Sequence, residues 1–279
     1  MASRSGTFVK LRDGTMLWSA VTGGGRPLVC CHGGPGLWDY LEPLAKLLSD
    51  RFTVIRFDQR GCGRSSGAGP FTIAQAVDDL DQVRTAFGIN RWAVLGHSWG
   101  AELALRYAAR HPRRTKAVVY IAGVGSGNGF RDKYITERDR RLGDDKSMWQ
   151  ELGARSRTPA EEHVWCLMQW RPDFSPSSDT TAHAEALWST RPPGVVVNTQ
   201  ANRELWADRE SEDLLELART ATPPVEMIFG ADDPRPWTAV DSLHAALPNV
   251  HRTVLVGAGH APWAEQPDAT RNVITRALA

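Results

Sequence analysis

Four runs of this chain are apolar without alternation: "PLVCCH" from Pro27, "FTVIRF" from Phe52, "WAVL" from Trp92 and "KAVVYIAG" from Lys116. A strand with one wet face alternates apolar and polar residues, so unbroken runs are expected where both faces of a sheet are covered. Helical segments lie between them. "TIAQAVDDLDQVRTAFG" spaces Ile73, Val77, Leu80, Val83, Ala86 and Phe87 by roughly three or four residues, and Gly88 closes the run. "YLEPLAKLLSD" and "AELALRYAARHP" also read as helices, the second stopped at Pro112. Strand alternating with helix predicts an α/β fold, a mostly parallel sheet with helices on both faces. Two short runs, "TFVKL" and "MLWSAV" around the turn "RDGT", add a hairpin in front.

The alternation stops near Gly129 and resumes with "VEMIFG" at Val225, a helix around 238–246, the strand "RTVLV" and a last helix from Asp268. Between the two stretches the one strand-like run is "GVVV" at Gly194. The sequence therefore divides into an α/β core, 1–128 and 219–279, and an inserted helical cap, 129–218. The cap holds five of the eleven tryptophans, and its 12 Lys+Arg against 17 Asp+Glu give it a net charge of −5. Over the whole chain 33 Lys+Arg nearly balance 32 Asp+Glu, without the basic excess of a nucleic-acid binder. No run is long and apolar enough to predict a membrane span, and "MASRSGTFVKLRDG" has no long apolar stretch of a signal peptide. Cys30, Cys31, Cys62 and Cys166 form no C-x-x-C pair, which argues for a reducing, cytoplasmic setting rather than a disulfide framework or zinc site. No metal-binding or phosphate-loop motif occurs, so neither a cofactor nor a metal is expected.

The most informative short stretch is "GHSWG", Gly96 to Gly100. It falls where "WAVL" ends and "AELAL" begins. A turn that sharp strains its central residue and projects the Ser98 hydroxyl from the carboxyl edge of the sheet, where ligands of such folds bind. A serine needs a base to take its proton, and that histidine needs a carboxylate to orient it. "VEMIFGADDPRPW" offers Asp232 and Asp233 just past a strand, with Asp233 the better placed, and "TVLVGAGHAPWAEQP" offers His260 past the next. Serine, acid and histidine thus occur in the chain order expected for such a fold. The glycine-rich "HGGPG" at His32 to Gly36 follows another strand. Main-chain N–H groups of Gly34 or Gly33, paired with that of Trp99, could hold an oxyanion. His97 is expected to pack under the loop and His32 to order the oxyanion segment. Candidate substrate contacts in the cap are Trp165, Trp170, Arg171 and Trp206, although such aromatics more often serve packing.

"HGGPG", "DQRGCGRS" at Asp58 to Ser65, "GHSWG" and "GAGHAPWAEQP" together resemble the proline iminopeptidases of the α/β-hydrolase superfamily. The resemblance implies an α/β-hydrolase fold with Ser98, Asp233 and His260 as catalytic triad, acting on a small-molecule or short-peptide substrate. The cap departs from that pattern. Those peptidases bind the substrate's free amino group with cap glutamates, one usually directly after a tryptophan. Here Arg171 follows Trp170, and "GVVVNTQANRELW" offers Asn198, Gln200, Asn202 and Arg203 in place of the second. The family also often has glycine where this chain has His97.

Three functions follow from this reading. The first is a serine hydrolase forming an acyl-enzyme on a small ester, lactone or amide. The second is a true proline iminopeptidase that uses other cap acids, such as Glu161, Glu162 or Glu204. The third is a non-catalytic ligand receptor on the same fold. A serine at position 98, where a dehalogenase would need aspartate, argues against that activity.

Overall fold

The computed structural model describes residues 6–209 and 213–279. Eight strands form one sheet: β1 (Thr7–Lys10), β2 (Met16–Thr22), β3 (Arg26–Cys31), β4 (Phe52–Phe57), β5 (Trp92–His97), β6 (Thr115–Ile121), β7 (Val225–Gly230) and β8 (Val250–Leu255), ordered 1-2-4-3-5-6-7-8. The hairpin β1–β2 is antiparallel and joins β4 antiparallel, and β4, β3, β5, β6, β7 and β8 run parallel. Each apolar run named above is a strand, as double coverage requires.

Two cores separate along the pleat. Val29, Cys31, Ile55, Val94 and Val118 face one side with Leu80 of α2 (Ile73–Ala86) and Leu103 of α3 (Trp99–Arg110). Leu28, Cys30, Val54, Leu95 and Val119 face the other, with Leu44 of α1 (Glu42–Leu48). The adjacent cysteines therefore enter opposite cores, because successive strand side chains alternate. All four thiols are free and buried, and burial pushes the Cys62 and Cys166 thiols up to about 12. Helix α2 begins at Thr72, whose side chain accepts the Gln75 N–H, and ends before Gly88, whose φ of 66° is left-handed.

Between β6 and β7 the described residues form no strand, and the α-helices there are α4 (Arg131–Leu142), α5 (Lys146–Gly153), α6 (Pro159–Trp170), α7 (Thr180–Ser189), α8 (Thr199–Asp208) and α9 (Leu214–Thr220). The strand-like "GVVV" is irregular rather than a strand. Val195 and Val197 turn into the second core while Val196 is 68% exposed, and the preceding Pro192–Pro193 lacks the N–H groups a ladder needs. Helix α9, part of which the sequence assigns to the inserted segment, packs on α3 and on α10 (Asp241–Ala246), against the sheet's own helical layer. Two C-terminal helices, α11 (Pro262–Glu265) and α12 (Pro267–Ala277), complete the opposite layer. No helix among the described residues is long and apolar enough to cross a membrane.

Candidate active site

Ser98 alone makes the turn between β5 and α3, with φ 56° and ψ −120°. Left-handed backbone in a non-glycine residue is strained and persists where the surroundings over-determine it. Both flanking glycines are required by close approach. A Cβ on Gly96 would lie 1.9 Å from the Gly100 carbonyl oxygen, and one on Gly100 would lie 2.1 Å from that of Cys31. The Trp99 N–H opens α3, and the first N–H groups of a helix have no intrahelical acceptor. The indole is held in turn, because Trp99 Nε1 donates to Gln59 Oε1 at 3.0 Å.

The two candidate acids have different partners. Asp233 Oδ2 lies 2.6 Å from His260 Nδ1, whereas Asp232 Oδ2 accepts from Ser175 Oγ. Burial raises the Asp233 carboxyl to about 6, with Arg235 opposing the shift, and burial together with Arg235 lowers His260 to about 3. Near neutrality the pair is therefore carboxylate and neutral imidazole. With its proton on Nδ1 facing the carboxylate, the imidazole leaves Nε2 as the acceptor.

His97 is buried beneath this pair. Tyr40 Oη lies 2.6 Å from His97 Nδ1, and His97 Nε2 lies 2.8 Å from the His260 carbonyl oxygen. Because Tyr40 Oη also accepts the Gly33 N–H at 2.8 Å, its own proton goes to Nδ1, and the imidazole is the neutral Nε2–H form. Burial keeps it well below its ordinary value. The expectation for Gly33 is corrected: its N–H donates to Tyr40 Oη, and of the two glycines it is Gly34 that lies in the wall of the cavity with Ser98.

His32 orders that segment as expected. Its Nδ1 meets Gly33 O at 2.8 Å, its Nε2 accepts the Gln59 N–H, and its carbonyl accepts from Gln59 Nε2. Asp58 in "DQRGCGRS" accepts the Asp39 N–H at 2.6 Å and the Arg64 N–H at 2.8 Å, so this motif supports the loops rather than lining the site. Asn198 and Asn202, where the resemblance would place a cap glutamate, clamp the glycine loops instead. Asn198 N donates to Gly36 O, Asn198 Nδ2 to Gly61 O and Asn202 Nδ2 to Pro35 O.

Ser98 and His260 open on one cavity of about 490 Å³. Leu37, Leu47, Trp170, Phe174, Leu187 and Trp263 give it a largely apolar wall. Its polar groups include Gln169, His183, Thr190 and the ion pair Asp173–Arg235, 2.8 Å apart.

Of the four expected substrate contacts, Trp170 lines this cavity, edge-on to Trp38. The others are corrected. Trp165 donates to Trp149 O and carries Arg157 over its ring. Arg171 pairs with Asp145 outside the cavity wall. Trp206 packs on Phe130 under Arg209, beside a separate depression. Glu161 serves the α6 capping box and pairs with Arg155, Glu162 pairs with Arg157, and Glu204 accepts from Gln200. Sequence reasoning missed Tyr40, Asp173, Arg235 and Trp263, and Trp263 lay unremarked inside the quoted "GAGHAPWAEQP". Among the described residues no group of three or more His, Cys, Asp or Glu side chains is placed to hold a metal ion.

Comparison with known proteins agrees with this architecture. Residues 26–267 match the model of the alpha/beta hydrolase fold family. The chain belongs to that family. It is 29% identical over 255 residues, 90% of each chain, to a Cronobacter turicensis protein named "Putative carbamate hydrolase RutD". It is 39% identical over 281 residues to a proline iminopeptidase of Xylella fastidiosa, covering 87% of this chain and 85% of that one. An alpha/beta fold family hydrolase from Bacillus anthracis superposes with a TM-score of 0.78 at 20% identity, covering 99% of this chain and all of the other, a likeness of fold alone.

Proposed function

We propose that this protein is a serine hydrolase that forms an acyl-enzyme on Ser98 from a small, uncharged ester, lactone or amide. The observation that carries the reading is His260, held by Asp233 at 2.6 Å and opening on the same cavity as a serine at a positive-φ strand–helix turn. His260 Nε2 takes the Ser98 hydroxyl proton as Oγ bonds to the substrate carbonyl carbon. The N–H groups of Gly34 and Trp99 receive the oxyanion. Collapse breaks the bond to the leaving oxygen or nitrogen, which leaves with the proton from His260. Water then repeats the sequence on the acyl-enzyme, with His260 again as base. Residues 129–218 act as the cap that sets specificity, since Gln169, Trp170, Asp173, Phe174, His183 and Leu187 come from it.

An uncharged substrate follows from the charges at the cavity. Asp173 and Arg235 neutralise one another, and a buried ammonium without its own carboxylate carries a large desolvation cost. The proline iminopeptidase relative supports a second reading, release of an N-terminal proline. That reading would require Asp173 to exchange Arg235 for the substrate's ammonium, because Glu161, Glu162 and Glu204 lie elsewhere. A panel of p-nitrophenyl esters and p-nitroanilides, with free and acylated amines, separates the two. We expect turnover of the amine-blocked substrates. Cleavage of prolyl-p-nitroanilide with none of its N-acylated form would establish the aminopeptidase instead, and a folded protein inert to the whole panel and to a fluorophosphonate would point to a receptor.

A further inference from the structure

The loop between α6 and α7 is bolted to both loops that carry the dyad. Asp173 O accepts the His260 N–H at 2.7 Å. The Asp173 carboxylate receives Arg235 Nη1 at 2.8 Å and Nη2 at 3.3 Å, and Arg235 N donates to Asp233 Oδ1 at 2.8 Å. The Arg235 guanidinium lies 3.5 Å from Asp233 Oδ1 and 4.1 Å over the Tyr134 ring of α4. Ser175 Oγ donates to Asp232 Oδ2, while Glu265 accepts both the Ser175 and the Gly259 N–H groups. Arg141 of α4 reaches the carbonyls of Pro172, Phe174 and Asp232. A Cβ on Gly259 would lie 2.2 Å from Asp173 O, so the close approach needs glycine.

We propose that Asp173 and Arg235 are positioning residues: together they hold His260 and Asp233 in register, and each cancels the other's charge at the dyad. This rests on the reading of His260 as the general base. Residues 173–175 are then part of the catalytic framework rather than a cover that lifts away from it.

The argument is one of charge and fixity together. His260 sits among groups from several elements: Asp232, Asp233 and Arg235 after β7, Asp173 after α6, Tyr134 and Arg141 on α4, Glu265 on α11, and His97 with Tyr40 beneath. Its ring lies 4.7 Å from that of His97. Asp232, Arg141 and Glu265 are tied to Ser175, to carbonyls or to backbone N–H groups, as given above. The Asp173–Arg235 pair is different, because its members act on the imidazole with opposite sign: Arg235 lowers its affinity for a proton and Asp173 raises it. Each is mostly buried, with side-chain exposures of 16% for Arg235 and 13% for Asp173, so neither charge is well screened by solvent. Removing one leaves the other unopposed.

The experiment measures the NMR titration of the His260 imidazole and the pH profile of kcat/KM in three variants. Asp173→Asn keeps the size and an acceptor for Arg235, and it should move both the titration and the acid limb down by about one pH unit. Arg235→Gln should move both up by a similar amount, and the double variant should return within about half a unit of wild type. Arg235→Lys retains the charge but loses the fork, so it should leave the titration near wild type while lowering kcat about tenfold or more with little change in KM. Movement of the two single variants in the same direction, or of neither in a folded protein, overturns the proposal. Fluorophosphonate labelling of the same wild-type sample keeps the two readings apart. Unlabelled Ser98 with opposite His260 shifts defeats the hydrolase reading and leaves the pair's role standing, whereas labelled Ser98 with no shifts does the reverse.

Discussion

Asp233→Asn tests the dyad through the tautomer it enforces. Asp233 uses both carboxylate oxygens, Oδ2 toward His260 Nδ1 at 2.6 Å and Oδ1 toward the Arg235 N–H at 2.8 Å. Asparagine has one acceptor and one donor end. If the amide oxygen keeps the Arg235 N–H, its NH₂ faces Nδ1, which must then be an acceptor, and the imidazole proton moves to Nε2. That tautomer cannot take the Ser98 proton. Turning the amide the other way sets its NH₂ against the Arg235 N–H, two donors face to face in a buried site. The imidazolium also loses its carboxylate in either case. Loss of this acid in triads costs on the order of 10⁴ in kcat, about 5 kcal/mol of transition-state stabilisation. Asp232→Asn keeps an acceptor for Ser175 Oγ and touches neither ring nitrogen, so its kcat should stay within about threefold, the effect of well under one hydrogen bond. The assay is hydrolysis of a p-nitrophenyl ester near pH 8, with near-UV circular dichroism to show both variants folded. Equal losses in the two variants, or a larger loss in Asp232→Asn, would refute the reasoning.

Three further outcomes are expected. Because burial lowers His260 and raises its partner Asp233 to about 6, kcat/KM should be flat above about pH 7 and fall on the acid side as the pair takes up its first proton; an acid limb above about 7 would contradict this. Trp170→Leu removes part of the cavity wall and should raise KM several-fold with a smaller change in kcat, and a pure kcat effect would argue against a substrate contact. Gly100→Ala forces a Cβ to 2.1 Å from the Cys31 carbonyl oxygen and should cost at least about 3 kcal/mol in urea unfolding, whereas Gly24→Ala meets nothing within 4 Å and should be near neutral; similar losses for both would be inconsistent with the packing described.

The strands and the turn at Ser98 were legible because their signals are local. Unbroken apolar runs report double coverage, and Gly96, Ser98 and Gly100 lie within five residues. The meeting of Asp233 with His260 could be read because each follows a strand, and strand ends share one edge of a parallel sheet. Apart from Gly34 and Trp170, the cavity wall was not legible, since it assembles from residues as distant as Leu37, Phe174 and Trp263, and no spacing records which face of a helix turns inward. Hence Trp165, Arg171 and Trp206 were expected in the wall but pack elsewhere, whereas Asp173 and Arg235 were not foreseen. Of the acids behind the net −5 of residues 129–218, Asp173 lies in the cavity wall. Glu161, Glu162 and Asp145 are engaged by Arg155, Arg157 and Arg171, so the segment's acid excess does not reach the cavity as free carboxylate. Gly33 failed as a donor for a similar reason. Its partner, Tyr40, stands seven residues on and belongs to no motif.

The most direct test of the account is the site of covalent modification. Wild-type protein treated with a fluorophosphonate, then mapped by peptide mass spectrometry, should carry one adduct per chain on Ser98. The Ser98→Ala variant should carry none, and Asp233→Asn should react far more slowly. Undiminished labelling or ester turnover in a folded Ser98→Ala variant, or no adduct in wild type that hydrolyses the ester, would contradict the assignment of Ser98 as nucleophile.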